Sequence, residues 1–124
     1  MASCYLRNID DQVTTSDATA TTSIIFPCDN LSTLKARIST VAYSPDNNNQ
    51  KTWEQVVLCK RINGGVTLNG SLSNLFTPIG DLGTVTWAVQ VTTDATNLII
   101  QVVGQAATKI NWFVSVWATC VMGD

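Results

Sequence analysis

The chain has 124 residues, a formal net charge of −2 and only 13% charged residues, about half the charged content of an ordinary soluble domain. This length suffices for one hydrophobic core, so we expect a single domain. The slight acidic excess excludes a basic nucleic-acid-binding surface. Because no apolar run approaches the length of a signal peptide or a membrane span, we expect synthesis in a cytosol and no membrane partner.

The residue types needed for common catalytic and metal sites are scarce. The chain has no histidine, which excludes Ser-His-Asp and Cys-His catalysis. Its cysteines are far apart in the sequence, at Cys4, Cys28, Cys59 and Cys120, so we expect no metal site. Without the usual acid-base groups, we also expect no cofactor and no enzymatic activity. In a reducing compartment the cysteines are expected to be small buried hydrophobes, and pairing by later oxidation outside the cell is the alternative.

Charge is distributed unevenly along the chain. Residues 64–124 contain only four charged side chains, namely Asp81, Asp94, Lys109 and Asp124. Intermixed charges normally keep neighbouring copies of a protein apart. The second half of the chain therefore favours association, and we expect a homo-oligomer.

Residues 1–20 differ in character from the rest of the chain. Asp10 and Asp11 are followed by a run of Thr, Ser, Ala and Asp, which offers little to bury. We predict that residues 1–20 form an extended N-terminal arm, ordered against a partner, and that residues 21–124 form the folded domain. Within the arm, the side chains expected to reach a neighbour are Cys4, Tyr5, Leu6 and Ile9.

From about residue 22, apolar and polar residues alternate in short runs separated by turn residues, the pattern of half-buried β-strands. Strands are predicted over residues 23–27, 31–43, 52–62, 66–69, 71–76, 84–92, 97–104 and 109–121. The connections are too short for crossover helices, so neighbouring strands must be antiparallel. The prediction is an all-β, two-sheet antiparallel sandwich of about eight strands, jelly-roll-like, with the extended arm.

The aromatic residues fall into three groups. Trp87 and Trp112 lie on otherwise aliphatic strand faces and are predicted to be core. On the opposite face of the last strand, three large apolar residues alternate with polar ones, a pattern that predicts an interface strip or a second core layer covered by the arm; they are Phe113, Trp117 and Val121. Trp53 follows a polar loop and either packs at the strand end or contacts a glycan with loop residues Asn47 and Asn69.

Around the predicted last turn, a Val-x-Gly sequence is followed by Ala-Ala-Thr-x-Ile-x-Trp. The residues are Val102, Gly104, Ala106, Ala107, Thr108, Ile110 and Trp112. This stretch resembles the C-terminal β-sandwich of tailed-phage fibres and related small virion modules. The resemblance implies a non-enzymatic virion component, commonly a homotrimer, assembled in the host cytoplasm.

Two functions are compatible with this resemblance. The short chain and its predicted arm favour a capsid cement or decoration protein that clamps the major capsid protein or other virion proteins. The alternative is a tail-fibre or receptor-binding domain that uses Trp53, Asn47 and Asn69 to bind carbohydrate.

Overall fold

The computed structural model describes residues 3–123, which form two antiparallel β-sheets. The strands are β1 (Ser3–Thr15), β2 (Ala20–Pro27), β3 (Ser32–Tyr43), β4 (Gln50–Arg61), β5 (Val66–Leu68), β6 (Ser73–Asn74), β7 (Ile79–Gly80), β8 (Ala88–Thr93), β9 (Asn97–Val103) and β10 (Ile110–Met122). The large sheet has the order β1-β10-β3-β4-β5, and β6 and β7 also pair with β4. The small sheet has the order β2-β9-β8. The predicted all-β antiparallel sandwich is confirmed.

The core lies between the two sheets, where the alternation predicted from the sequence places its apolar positions. On β10 every second residue is buried: Ile110, Trp112, Val114, Val116, Ala118 and Cys120. Trp112 stacks on Trp53 at a ring-centroid distance of 5.5 Å and packs at 6.2 Å against Trp87. Each such large apolar side chain contributes about 1.5–3 kcal/mol on burial, so these tryptophans hold the two layers together.

Residues 3–15 form a strand of the large sheet and not a free arm. β1 pairs with β10 in an unbroken register from Ser3 opposite Met122 to Thr15 opposite Ile110. The inward-facing side chains of Tyr5, Ile9 and Val13 pack against the core. Residues 1 and 2 of the predicted arm lie outside the described residues.

The alternation of β1 is obscured in the sequence by two charged residues that also point inward. The Arg7 guanidinium lies over the Phe26 ring at 4.3 Å, and Asp11 accepts a hydrogen bond from Ser23 at 3.2 Å. Inward-pointing charges are a known protection of edge strands against pairing with other chains. The inward positions of Arg7 and Asp11 are therefore consistent with an edge strand. In the sequence alone, the same two charges suggest a solvated segment.

The region between β5 and β8 contains less strand than predicted. The strand predicted over residues 71–76 is reduced to Ser73–Asn74, and the strand predicted from residue 84 begins at Ala88. A short 3₁₀ turn at Leu82–Thr84 precedes it. Lys51 Nζ donates hydrogen bonds to the carbonyl oxygens of Thr84 and Trp87, each at 3.1 Å. This amine holds residues 84–87 in a turn, which delays the start of β8.

The motif between β9 and β10 has a structural role. A Cβ on Gly104 would lie 2.5 Å from Thr15 Oγ1, so only glycine fits where the end of β1 crosses the motif. The same Thr15 Oγ1 accepts a hydrogen bond from Trp112 Nε1 at 2.9 Å. Ala107 has a φ of 53°, a left-handed conformation that residues with a Cβ rarely adopt. The motif residues thus shape a turn and fasten it to β1.

Candidate interaction surface

The side of the large sheet that faces away from the core is a broad exposed surface, which we call the outer face. It consists of the outward side chains of β1, β10, β3 and β4, and the strand registers align them in rows. One row contains Gln12, Phe113, Val41 and Thr52, and β7 extends it with Ile79. Another contains Asn8, Trp117, Arg37 and Val56. No residue in the range 3–123 forms a second layer over this face.

Large apolar side chains on the outer face are unusually exposed. Trp117 is 56% exposed, Phe113 is 44% and Leu6 is 74%. Further exposed apolar members are Val41, Tyr43, Leu58, Ile79 and Val121. Monomeric proteins seldom expose a contiguous apolar patch of more than a few hundred Å², so the outer face is the candidate interaction surface of the described residues.

A polar row crosses the middle of the outer face and is hydrogen-bonded within the chain. Ser115 Oγ donates to Asp10 Oδ1 at 2.5 Å, and Asn8 Nδ2 donates to the same oxygen at 3.0 Å. On the neighbouring strands, Arg37 Nε donates to Glu54 Oε1 at 2.7 Å, and the Ser39 hydroxyl also donates to the Glu54 carboxylate. Both carboxylates of the row therefore have donors before any partner binds.

The electrostatics of Glu54 follow from these contacts. Partial burial favours the neutral acid, but the hydrogen bonds from Ser39 and Arg37 and the guanidinium charge outweigh it and lower the pKa of Glu54. Glu54 therefore remains ionised at neutral pH, and its charge is balanced by Arg37.

Two shallow grooves lie at opposite ends of the outer face. One, of about 270 Å³, is lined by Thr33, Leu34, Lys35, Leu58, Thr119 and Val121. The other, of about 290 Å³, is lined by Val41, Gln50, Lys51, Thr52, Ile79, Gly80 and Asp81. Both are open depressions, lined mostly by outward side chains together with the inward-pointing Leu34 and Lys51.

The structure separates the predicted arm contacts into two groups. Cys4 and Leu6 point outward and are exposed, whereas Tyr5 and Ile9 point inward and pack against the core. The Tyr5 hydroxyl donates to the Asp29 carboxylate, and this hydrogen bond, together with partial burial, raises the pKa of Tyr5 to about 12. Tyr5 and Ile9 are therefore engaged within their own chain.

The predicted strip of the last strand lies on the outer face. Phe113, Trp117 and Val121 all point away from the core, and β1 lies beside β10 and not over it. The alternative of a second core layer covered by residues 3–15 is therefore wrong. Their role in an interface stays a prediction.

The three residues predicted to contact a glycan are not brought together. Trp53 is only 3% exposed and stacks on Trp112, so its ring lies in the core. Asn47 lies in the loop before β4. The backbone N–H of Asn69 donates to the Leu58 carbonyl oxygen, near the other end of that strand. Residues 50 and 58 are roughly 27 Å apart along a strand. A single glycan site made by these residues is not formed.

Several outer-face residues were missed by the sequence reasoning. Val41, Tyr43 and Leu58 follow the alternation of β3 and β4, which also places Lys35 and Arg37 outward. That alternation could have identified them. Ile79 carries no such signal, because its position depends on the pairing of β7 with β4.

Two kinds of site are absent from residues 3–123. Histidine, cysteine, aspartate and glutamate side chains do not gather in groups of three or more that could hold a metal ion. Within the same residues, no helix is long and apolar enough to span a membrane.

Comparison with known proteins identified similar solved structures only. No family model and no curated protein matches the chain. One similar structure is the tailspike protein gp49 of Acinetobacter baumannii bacteriophage Fri1, a capsular polysaccharide depolymerase, with a TM-score of 0.47 and 12% identity. Another is the tailspike protein of Acinetobacter baumannii phage AM24, with a TM-score of 0.44 and 10% identity. The matches cover 92% and 96% of this chain but only 17% and 26% of those chains.

Proposed function

We propose that the chain is a non-enzymatic structural domain of a phage tail, and that copies of it associate as a trimer through the outer face. The observation that carries this proposal is the exposure of Trp117, Phe113 and Leu6 on one continuous sheet surface. In the proposed trimer, three outer faces turn toward a common axis and remove these side chains from water.

The outer face is large enough for such an interface. Four strands of about twelve residues cover roughly 19 Å by 40 Å, or roughly 750 Å². Stable specific interfaces bury about 800 Å² on each partner. Aromatic residues are enriched in such interfaces, and Trp and Tyr are frequent among the side chains that contribute most of the affinity. Trp117, Phe113 and Tyr43 supply that composition.

The polar row lowers the cost of burying this surface. Removing an unpaired charge from water is strongly unfavourable. Glu54 already accepts hydrogen bonds from Arg37 and Ser39, and Asp10 accepts them from Ser115 and Asn8. Because these carboxylates have donors within the monomer, association desolvates paired groups.

The assignment to a phage virion is supported by the sequence resemblance around the β9–β10 turn. The residues that carry it have defined structural roles, since Gly104 admits β1 and Ala107 adopts a left-handed turn conformation. The pairing of β1 supports the tail alternative over the capsid. The cement interpretation used the short chain together with a free arm, and residues 3–15 are instead paired along their whole length with β10.

The oligomer is tested by light scattering on the purified protein and two aspartate variants. The wild type is expected at about 40 kDa, three times the 13.4 kDa chain, at micromolar concentration. Trp117→Asp should give the monomer mass, because it places a charge within the apolar surface. Thr92→Asp is the matched control on the small sheet, where Thr92 is also exposed, and it should remain a trimer. A monomeric wild type would contradict the proposal.

The place in the virion is tested by immunogold electron microscopy of phage particles with antibodies raised against the purified protein. Gold on the tail is the expected result. Gold on the head would favour the cement interpretation, and particles without any label would contradict a virion role. Particles made without the protein provide the control for antibody specificity.

A further inference from the structure

The strands at the ends of the two sheet orders differ in how they are protected against pairing with other chains. Inward charges, bulges and short length are known protections of such edge strands. β1 carries the inward charges Arg7 and Asp11, β2 has a bulge between Thr22 and Ile24, and β5 has only three residues. β8 has none of these features: its six residues, Ala88–Thr93, are uncharged and keep an unbroken register with β9.

The free side of β8 presents backbone groups that lack partners. β8 is the last strand in the order β2-β9-β8, and within residues 3–123 its backbone hydrogen bonds are those with β9 alone. Contacts resume just beyond its two ends, where Lys51 Nζ donates to the Trp87 carbonyl oxygen and the Val66 N–H donates to the Asp94 carbonyl oxygen at 3.4 Å. The free stretch therefore spans six residues, or about 20 Å.

A groove of about 450 Å³, which we call the edge groove, lies beside this free edge. One wall is β8 itself, and the other is formed by residues 68–74 and the inward side of β4. Its lining is uncharged and includes Gln55, Leu68, Leu72, Asn74, Val89 and Val91. The small sheet has three strands, whereas the order of the large sheet has five. The edge groove thus lies where a fourth strand would continue the small sheet.

Gln55 in the wall of the edge groove is a buried polar residue with incomplete hydrogen bonding. It points inward from β4 and is 5% exposed. Its Nε2 donates to Asn74 Oδ1 at 2.9 Å, but its Oε1 accepts no hydrogen bond from the described residues. Buried polar atoms are nearly always paired, because an unpaired one loses its hydrogen bonds to water without compensation. The wall therefore contains an acceptor suited to a ligand that brings an N–H or O–H donor.

We propose that the edge groove binds an extended, uncharged peptide segment of another protein, which adds a fourth strand to the small sheet beside β8. Main-chain hydrogen bonds to the free edge supply affinity, and alternate side chains of the segment enter the groove. Apolar side chains pack against Leu72 and Val91, and a hydroxyl or amide donor pairs with Gln55. A charged side chain is disfavoured there, because the lining supplies no opposite charge. This site is separate from the outer face and does not depend on the proposed trimer.

Binding is tested with the wild-type protein and a fluorescein-labelled probe peptide, Lys-Lys-Val-Thr-Val-Thr-Val-Thr-Lys-Lys. The control peptide, Lys-Lys-Val-Thr-Pro-Pro-Val-Thr-Lys-Lys, has the same charge. Its two consecutive prolines remove one N–H from each side of the strand, so one of them is lost toward β8 in either register. Fluorescence anisotropy should show saturable binding of the probe and at least roughly tenfold weaker binding of the control. No binding of the probe, or equal binding of both peptides, would overturn the proposal.

Amide hydrogen exchange followed by NMR on the same wild-type protein locates the bound probe. About half of the amides of Ala88–Thr93 face away from β9, and these should exchange rapidly in the free protein. Saturating probe should slow them by more than roughly tenfold, while exchange along β1 stays unchanged. Slowing on β1 and not on β8 would overturn the proposal. Slowing on β8 that grows with protein concentration in the absence of probe would identify a second copy as the occupant and would also overturn it.

Two lysine variants of β8 separate the edge groove from the opposite side of the strand. Val91 lines the groove and Thr92 is exposed on the other side. Val91→Lys should weaken probe binding by at least roughly tenfold, because an inward charge protects an edge strand in the way that Arg7 does on β1. Thr92→Lys adds the same charge and should bind like the wild type. Unchanged binding to folded Val91→Lys would overturn the proposal, and if this variant does not fold, the exchange measurement on the wild type still decides.

Discussion

Gly104 is a residue whose identity is dictated by a single close approach. Thr15 at the end of β1 comes so near that an added Cβ would lie 2.5 Å from its Oγ1 and 2.9 Å from the Asp17 carbonyl oxygen. Thr15 cannot easily move away, because its hydroxyl accepts the hydrogen bond of the buried Trp112 indole. One glycine thus couples the last turn to the first strand.

Gly104→Ala is expected to lower the free energy of unfolding by about 1–3 kcal/mol, because the new methyl group overpacks this contact. Gly64→Ala is the matched control. A Cβ there would meet only the Ile62 carbonyl oxygen, at 3.8 Å, so its effect should stay within about 0.5 kcal/mol. Chemical denaturation followed by tryptophan fluorescence measures both, and equal effects would contradict the role assigned to Gly104.

At this scale the sequence predicts burial better than it predicts contacts. Alternation placed Trp87 and Trp112 in the core, and both are buried. It could not show that Trp53 stacks on Trp112, because that contact depends on the order β10-β3-β4 in the large sheet. Because this contact was not visible in the sequence, the position of Trp53 beside a polar loop suggested a glycan contact.

Among the elements, β1 is the strand whose character differs most from expectation. Its polar composition predicts an arm, whereas its pairing with β10 makes it an edge of the large sheet. The signal was present as Tyr5, Ile9 and Val13, spaced by four residues on one face, but Arg7 and Asp11 occupy the same face. Only the neighbouring Phe26 ring and Ser23 hydroxyl explain why those charges can point inward.

Two substitutions of equal chemistry on β1 should therefore have unequal effects. Ile9→Asp should destabilise the monomer by several kcal/mol, because it places a carboxylate against the core without a partner. Both are compared in the monomeric Trp117→Asp background, where Leu6→Asp should have little effect on folding, since Leu6 is 74% exposed in a single chain. Thermal unfolding followed by circular dichroism compares the two double variants. If both melt with the Trp117→Asp parent, β1 behaves as a free arm and the paired strand is contradicted.

The remaining strands show why element prediction succeeded elsewhere. β3, β4 and β10 have 12 or 13 residues and β9 has 7, burial alternates along each of them, and their observed bounds lie close to the predicted ones. The short strands β6 and β7 pair only with β4 and make two contacts each in register. β6 is what remains of the strand predicted over residues 71–76, whereas β7 has no periodicity of its own and was not predicted.

For the whole molecule, the unequal coverage of the two sides of the large sheet has the widest consequence. One side is covered by the small sheet, and the other carries Trp117, Phe113 and Val41 in contact with water. The charge-poor second half of the sequence predicted association in general terms. The strand register indicates which surface would associate, namely the outer face. Its rows of side chains span four strands, so they cannot be recognised from the sequence of one strand.

The four tryptophans allow the central claim, that other copies cover the outer face, to be measured directly. Trp53, Trp87 and Trp112 are at most 3% exposed, whereas Trp117 is 56% exposed in a single chain, so acrylamide can quench Trp117 alone. Trp117→Phe provides the signal of the buried three. We expect the wild type to match that variant at micromolar concentration and to gain a quenchable component on dilution, as the oligomer dissociates. A quenchable component of the same size at every concentration would show that the outer face is open to solvent and would contradict the proposed interface.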